Sequence, residues 1–155
     1  FHQRFLMRLR MSKILSLLCL ALLSSFASAK DWQIQMLNYG DAGSMVFEPS
    51  YVYAQVGDTV TFVPTQSGHN AKSYVVPEQV KQWTSPLNET YKLTLSQEGI
   101  HLYYCPPHLR MGMIGVRQVG NASNIDVIEQ KYPRLRSKIA LSPERADAIV
   151  AQIKN

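Results

Sequence analysis

Between residues 104 and 113 the chain reads Tyr-Cys-Pro-Pro-His-Leu-Arg-Met-Gly-Met, placing a thiol (Cys105), an imidazole (His108) and two thioethers (Met111, Met113) in one short loop. A second imidazole, His69, stands upstream between Gly68 and Asn70. Two imidazole nitrogens, one thiolate and one weak axial thioether are the donors of a trigonal copper site whose chemistry is one-electron transfer. Thiolate and thioether are soft donors that favour copper, and imidazole accommodates either of its common oxidation states.

The loop is built to bring these donors together. Cys105 and His108 stand three residues apart, so both can reach one metal, and a methionine can approach from the axial side. Pro106 and Pro107 have a fixed φ and no N–H, which stiffens the turn. Gly112 gives the backbone room to bend between the methionines. Met111 and Met113 are both axial candidates, because either spacing closes the loop. Structural zinc normally takes four Cys or His ligands and does not favour thioether. His101 lies four residues before Cys105 in an expected strand, about 13 Å away at the usual rise, and is read as structural or exposed. A catalytic copper centre would need further histidines, and none is left once His69 and His108 are used. No G-x-S-x-G nucleophile elbow supports a hydrolase.

The N-terminal segment bears on compartment and charge. Arg8, Arg10 and Lys13 precede an apolar run over residues 14–23, followed by Ala27-Ser28-Ala29. That order predicts a secretory signal peptide removed after residue 29, with translation starting at Met7 or Met11. The run is too short to span a bilayer, which takes roughly 20 residues. Cys19 sits in mid-run, which argues against a lipid anchor. Arg4, Arg8, Arg10 and Lys13 account for four of the 16 basic residues, leaving 12 against 11 acidic. The chain's high pI therefore gives no reason to expect nucleic acid or an anionic membrane as partner. Lys131, Arg134, Arg136 and Lys138 read as a solvated basic face. Cys105 becomes the only cysteine of an exported chain, where a bare thiol is exposed to oxidation and a bound metal protects it.

Residues 30–155 fit one domain. Runs rich in β-branched and aromatic residues recur at 32–36, 45–47, 51–54, 59–63, 91–95, 100–105 and 114–119, separated by Gly, Pro, Asn and Asp. They predict an all-β, antiparallel sandwich of seven to eight strands. From about residue 122 the texture changes. Ser123 with Asp126, and Ser142-Pro143-Glu144, read as two helix starts with Ser as cap. Ala146, Ile149, Val150 and Ile153 form an i, i+3, i+4, i+7 stripe that would pack on the sandwich.

The segments Met36-Leu37-Asn38, Met45-Val46-Phe47-Glu48-Pro49, Gly57-Asp58-Thr59-Val60-Thr61-Phe62, Gly68-His69-Asn70 and Cys105-x-Pro107-His108-x-x-Met111-Gly112-Met113-Ile114 resemble those of the pseudoazurins, which are cupredoxins. The resemblance covers residues 31–155. It implies a Greek-key sandwich with two C-terminal α-helices, and one type 1 copper per chain held by His69, Cys105, His108 and Met113. It further implies that the Asn70 backbone N–H donates to the Cys105 sulfur, that Pro107 supports the site, and that the edge of His108 is the electron port. Such a protein is an electron carrier, not an enzyme. It would work in the periplasm as a monomer without a membrane anchor, passing electrons to redox partners such as copper nitrite reductase in denitrification. The docking lysines of the family fall at positions matching Tyr39, Ser67 and Tyr104, so Lys72, Lys81, Arg110 and Arg117 are the candidates to replace them. The alternative is periplasmic copper binding or delivery, which usually uses Met-rich or His-rich segments not found here; a metal-free binding scaffold is a third reading.

Overall fold

The computed structural model describes residues 28–155. The signal-peptide reading and the choice between Met7 and Met11 lie outside the described residues. Among the described residues eight strands form: β1 Asp31–Gly40, β2 Gly43–Glu48, β3 Tyr51–Ala54, β4 Thr59–Val63, β5 Lys72–Val75, β6 Tyr91–Thr94, β7 Gly99–Tyr104 and β8 Ile114–Val119. A 3-10 helix, Pro106–Met111, lies between β7 and β8, and two α-helices follow, α1 Ile125–Arg136 and α2 Pro143–Val150. The strands make two four-stranded sheets, ordered β2-β1-β4-β6 and β3-β8-β7-β5.

The sandwich and the C-terminal helices are as expected, but the sheets are mixed rather than antiparallel. β1 runs parallel to β4, and β3 parallel to β8. The chain leaves the first sheet after the β1–β2 hairpin, contributes β3 to the second, and returns as β4. Strand direction after such a crossing is set by where the chain re-enters, and the local alternation of side chains carries no record of it. β5 was not expected, because Lys72-Ser-Tyr-Val is short and half polar. It is held from outside its own sequence: it pairs with β7, and Ser73 exchanges hydrogen bonds with the Trp83 backbone in both directions.

The second sheet is covered on both faces. Along β7, Ile100 and Leu102 pack with Ile114, Val116 and the helix residues Ile128 and Leu135, while Tyr103 and Cys105 point into the core between the sheets. Strand alternation thus decides that Cys105 faces the interior. The α2 stripe behaves as expected, with Ala146 and Ile149 buried and Val150 and Ile153 packed against the same cluster. Neither expected Ser cap forms. The residue flanking α1 is Asn124, whose side chain is spent on β7, accepting from Ile100 N (2.7 Å) and donating to Ile100 O (3.0 Å). Ser142 has left-handed backbone angles (φ 55°, ψ 48°) and makes no cap bond. The segment before it is drawn onto the loop between β7 and β8, where Ala140 N and Leu141 N both donate to Arg110 O. Among the described residues no helix is long and apolar enough to cross a membrane.

Asp58, buried at the turn before β4, ties the N-terminal edge of the first sheet. Its carboxylate accepts from Lys30 N (2.9 Å), Trp32 Nε1 (3.0 Å) and Gln55 N (3.0 Å). Burial pushes its pKa up, but these donors outweigh burial and hold it below the usual value. A depressed carboxylate contributes stability that is present above its unfolded pKa and is lost as pH falls through the folded one. Asp58→Asn should therefore cost on the order of 1–3 kcal/mol at pH 7. The gap from wild type should narrow toward pH 3, as read by urea unfolding at both pH values.

Candidate metal centre

The loop between β7 and β8 is closed by its own backbone. Cys105 N donates to Met113 O (3.0 Å), His108 N to Cys105 O (3.0 Å), and Met113 N to His108 O (3.3 Å). Pro106 and Pro107 open the 3-10 helix, and Gly112 ends it in the left-handed region at φ 80°. A Cβ at Gly112 would stand 3.2 Å from Leu141 O, so both conformation and space call for glycine. His69 arrives from the β4–β5 loop. Asn88 grips that loop: its Oδ1 accepts from Gly68 N and His69 N, and its own N–H donates to His69 O.

Residues 36 positions apart thereby meet. Cys105 Sγ lies 3.5 Å from His108 Nδ1 and 3.8 Å from His69 Nδ1, and the three donor atoms all fall within 4.8 Å of one another. Metal–sulfur and metal–nitrogen bonds of about 2.3 and 2.0 Å, spread at roughly 100–120°, put sulfur and nitrogen about 3.3–3.7 Å apart. The observed separations suit one shared ion. His69 Nε2–H donates to Asn38 Oδ1 at 2.7 Å, which assigns the tautomer and leaves the Nδ1 lone pair aimed at the sulfur. The donor set and its tautomer therefore fit copper.

Burial is graded across the site. Cys105 and His69 are fully buried and His108 is half-buried. Met113 is fully buried in the same core cluster as Cys105, whereas Met111 is half-buried and turns its carbonyl to Arg145. Burial pushes the Cys105 thiol up, opposed by the backbone N–H groups of Asn70 and His108 aimed at the sulfur. Burial lowers His69, helped by the adjacent His108, and burial lowers His108. Both imidazoles are thus kept neutral, the form that binds metal. Asn70 is half-buried, its side chain donating to Ser85 O. Pro107 is exposed beside His108.

Lys72, Lys81 and Arg110 are exposed. Arg117 is not: it is 0% exposed and belongs to no docking surface. On β8, Ile114 and Val116 take the helix-facing positions, so Arg117 points between the sheets, opposite His101. His101 is structural and buried.

Two contributors have no metal-ligand signature in the sequence. One is Asn38. The other is Arg145, whose Nη1 donates to Ser44 O (2.9 Å) and whose Nη2 donates to Met45 O (3.1 Å) and Met111 O (2.9 Å). It lies on α2 yet fastens the metal loop to the start of β2, where Met45 has a left-handed φ of 52°.

A two-sheet sandwich with one buried sulfur and two imidazoles at one end is the architecture of the blue copper class. The family described as copper binding proteins, plastocyanin/azurin family, matches residues 34–120. Pseudoazurin of Paracoccus pantotrophus is 41% identical over 124 residues, 78% of this chain and 82% of its own. A putative pseudoazurin of Rhizobium leguminosarum bv. viciae is 41% identical over 139 residues, 86% of this chain and 88% of its own. A solved pseudoazurin structure from Sinorhizobium superposes with a TM-score of 0.70 at 35% identity, covering 81% of this chain and 98% of that one. The chain belongs to the plastocyanin/azurin family of copper-binding proteins and, within it, to the pseudoazurins. Its cofactor is one type 1 copper, and it is an electron carrier serving redox partners, not an enzyme.

Replacing Arg145 by Met leaves three backbone carbonyls without their donor. Arg145→Met should lower the unfolding free energy of the metal-free protein by about 1–3 kcal/mol. It should also speed amide hydrogen exchange at Gly112 and Met113, measured residue by residue.

Proposed function

We propose that His69, Cys105, His108 and Met113 would hold the copper, and that electrons would enter and leave through the exposed edge of His108. The observation that carries this reading is the meeting of one buried sulfur and two neutral imidazole nitrogens within 4.8 Å, with only His108 reaching toward solvent. Met113 is preferred to Met111 because it is buried in the core with Cys105 and its backbone bonds to both Cys105 and His108.

Bound copper supplies a Cu(II)/Cu(I) couple. The protein's part is to hold the donors in one arrangement that suits both states. The backbone closure of the loop, the Asn38 bond to His69 and the Asn88 grip on the His69 loop all limit movement on electron transfer. Asn70 N–H tempers the charge on the Cys105 sulfur and so tunes the potential. Pro107 keeps His108 at the surface. Residues 1–29 direct the chain to the periplasm, as their basic start, apolar run and Ala-Ser-Ala end suggest. There it passes electrons to reductases, copper nitrite reductase among them, by the resemblance to pseudoazurins. Docking would use His108, Pro106, Pro107 and the exposed Arg110, Lys72 and Lys81.

Residues 30–155 should develop intense visible copper–thiolate absorption on addition of Cu(II), and Cys105→Ser should abolish it in a folded protein. A colourless wild type would move the reading to copper delivery. Met113→Gln should keep copper and shift the reduction potential, while Met111→Leu leaves it near wild type. The reverse pattern in potentiometric titration would exchange the two methionines.

A further inference from the structure

Arg117 places a guanidinium in a core lined mainly by apolar and aromatic side chains. It is wholly buried, and among the described residues it takes part in no ion pair. Nη2 bonds to His101 Nδ1 (2.9 Å), a nitrogen that also accepts from Trp83 Nε1 (3.2 Å). Among the described residues Nε and Nη1 have no hydrogen-bond partner. The guanidinium carbon stands 5.2 Å from the Trp83 ring centre and 5.9 Å from that of Phe62. Ring faces attract a cation, but they do not neutralise it. Burial and Arg117 keep His101 uncharged, and the Arg117 pKa, pushed down to about 10 by burial, still leaves it protonated at neutral pH. The positive charge is therefore uncompensated, an expensive arrangement for stability alone.

Its position relates it to the metal centre. His101, the cross-strand partner of Arg117, lies on β7 four residues before Cys105, about 13 Å along the strand. Tyr103 stands between His101 and Cys105 along the chain, its ring 5.8 Å from that of Trp83 and in the same cluster as Cys105. A charge acting through this interior is screened little by salt.

We propose that Arg117 is a built-in electrostatic bias on the redox centre, a fixed positive charge that would favour the reduced state and raise the reduction potential of the copper that Cys105 would help hold. The reduced site carries one positive charge fewer than the oxidised one, so a nearby cation destabilises it less. Taking that strand spacing of about 13 Å as the scale of the separation, with an effective dielectric constant of about 20, the Coulomb interaction corresponds to roughly a tenfold change in the electron-exchange equilibrium. For a one-electron couple that is about 59 mV.

The inference rests on Cys105 binding copper, and the test separates the two. Arg117→Met should keep the copper–thiolate absorption, lower the potential by an amount equivalent to about tenfold in the exchange equilibrium, and raise the urea midpoint of the metal-free protein. Arg117→Lys should restore the potential. His101→Glu, which places a carboxylate against Arg117, should lower it as Met does, and decides the matter should Arg117→Met fail to fold. An unmoved potential in Arg117→Met and His101→Glu, with absorption intact, overturns the inference and leaves the copper reading standing. Absence of absorption in the wild type removes the copper reading itself.

Discussion

Everything at the metal end depends on closing the loop between Cys105 and Met113. Cys105 stands at the end of β7 and Met113 immediately before β8, and the hydrogen bond between their backbones continues the β7–β8 pairing beyond the named strands. Within that closure a 3-10 helix presents His108 at a fixed distance from the sulfur, so the thiol and one imidazole form a rigid pair. The second imidazole has only to be delivered to that pair. The β4–β5 loop does so under the control of Asn88, and Asn38 sets its tautomer. Limiting movement in this way suits a site that changes charge without changing partners.

The C-terminal helices act on this loop from behind. Packing of α1 and α2 covers the outer face of the β8-β7 sheet. Near the loop, the connection before α2 becomes directly involved: Ala140 and Leu141 donate to Arg110 O, and Arg145 donates to Met111 O and Met45 O. The bonds to Arg110 O and Met111 O satisfy carbonyls that a short 3-10 helix leaves without partners. The same contact imposes the left-handed conformation of Ser142 and demands glycine at position 112. The helical appendage is thus part of the support of the metal loop as well as a cover for the sheet.

Arg117 shows what the two-sided sheet can conceal. Its neighbours on β8 satisfy both cores by alternation, and the guanidinium falls on the side shared with Tyr103 and Cys105. Trp83 and His101 accept it there with one hydrogen bond and one ring face. The interior that encloses Cys105 also encloses this charge.

The sequence by itself determined the donor set, because thiol, imidazole and thioether types in a short Pro- and Gly-bounded loop are a local pattern. It also determined most strands and the α2 stripe, which rest on alternation and on helical periodicity over neighbouring residues. The need for one distant second imidazole extended this to His69, and the family segments added the Asn70 N–H and the preference for Met113. Tertiary structure alone decided which strands run parallel, because direction is set by where a crossing re-enters a sheet. It decided β5, which exists through Trp83 and β7 rather than its own propensity. It decided the use of Asn124 and Ser142, whose capping groups were claimed by a strand and by the strained connection to the metal loop. And it decided the fate of the basic residues: Arg110, Arg117 and Arg145 are alike in the sequence, yet one is exposed, one is buried in the core and one clamps the metal loop. A side chain's burial depends on which surfaces the rest of the chain brings to it, and no single segment contains that information.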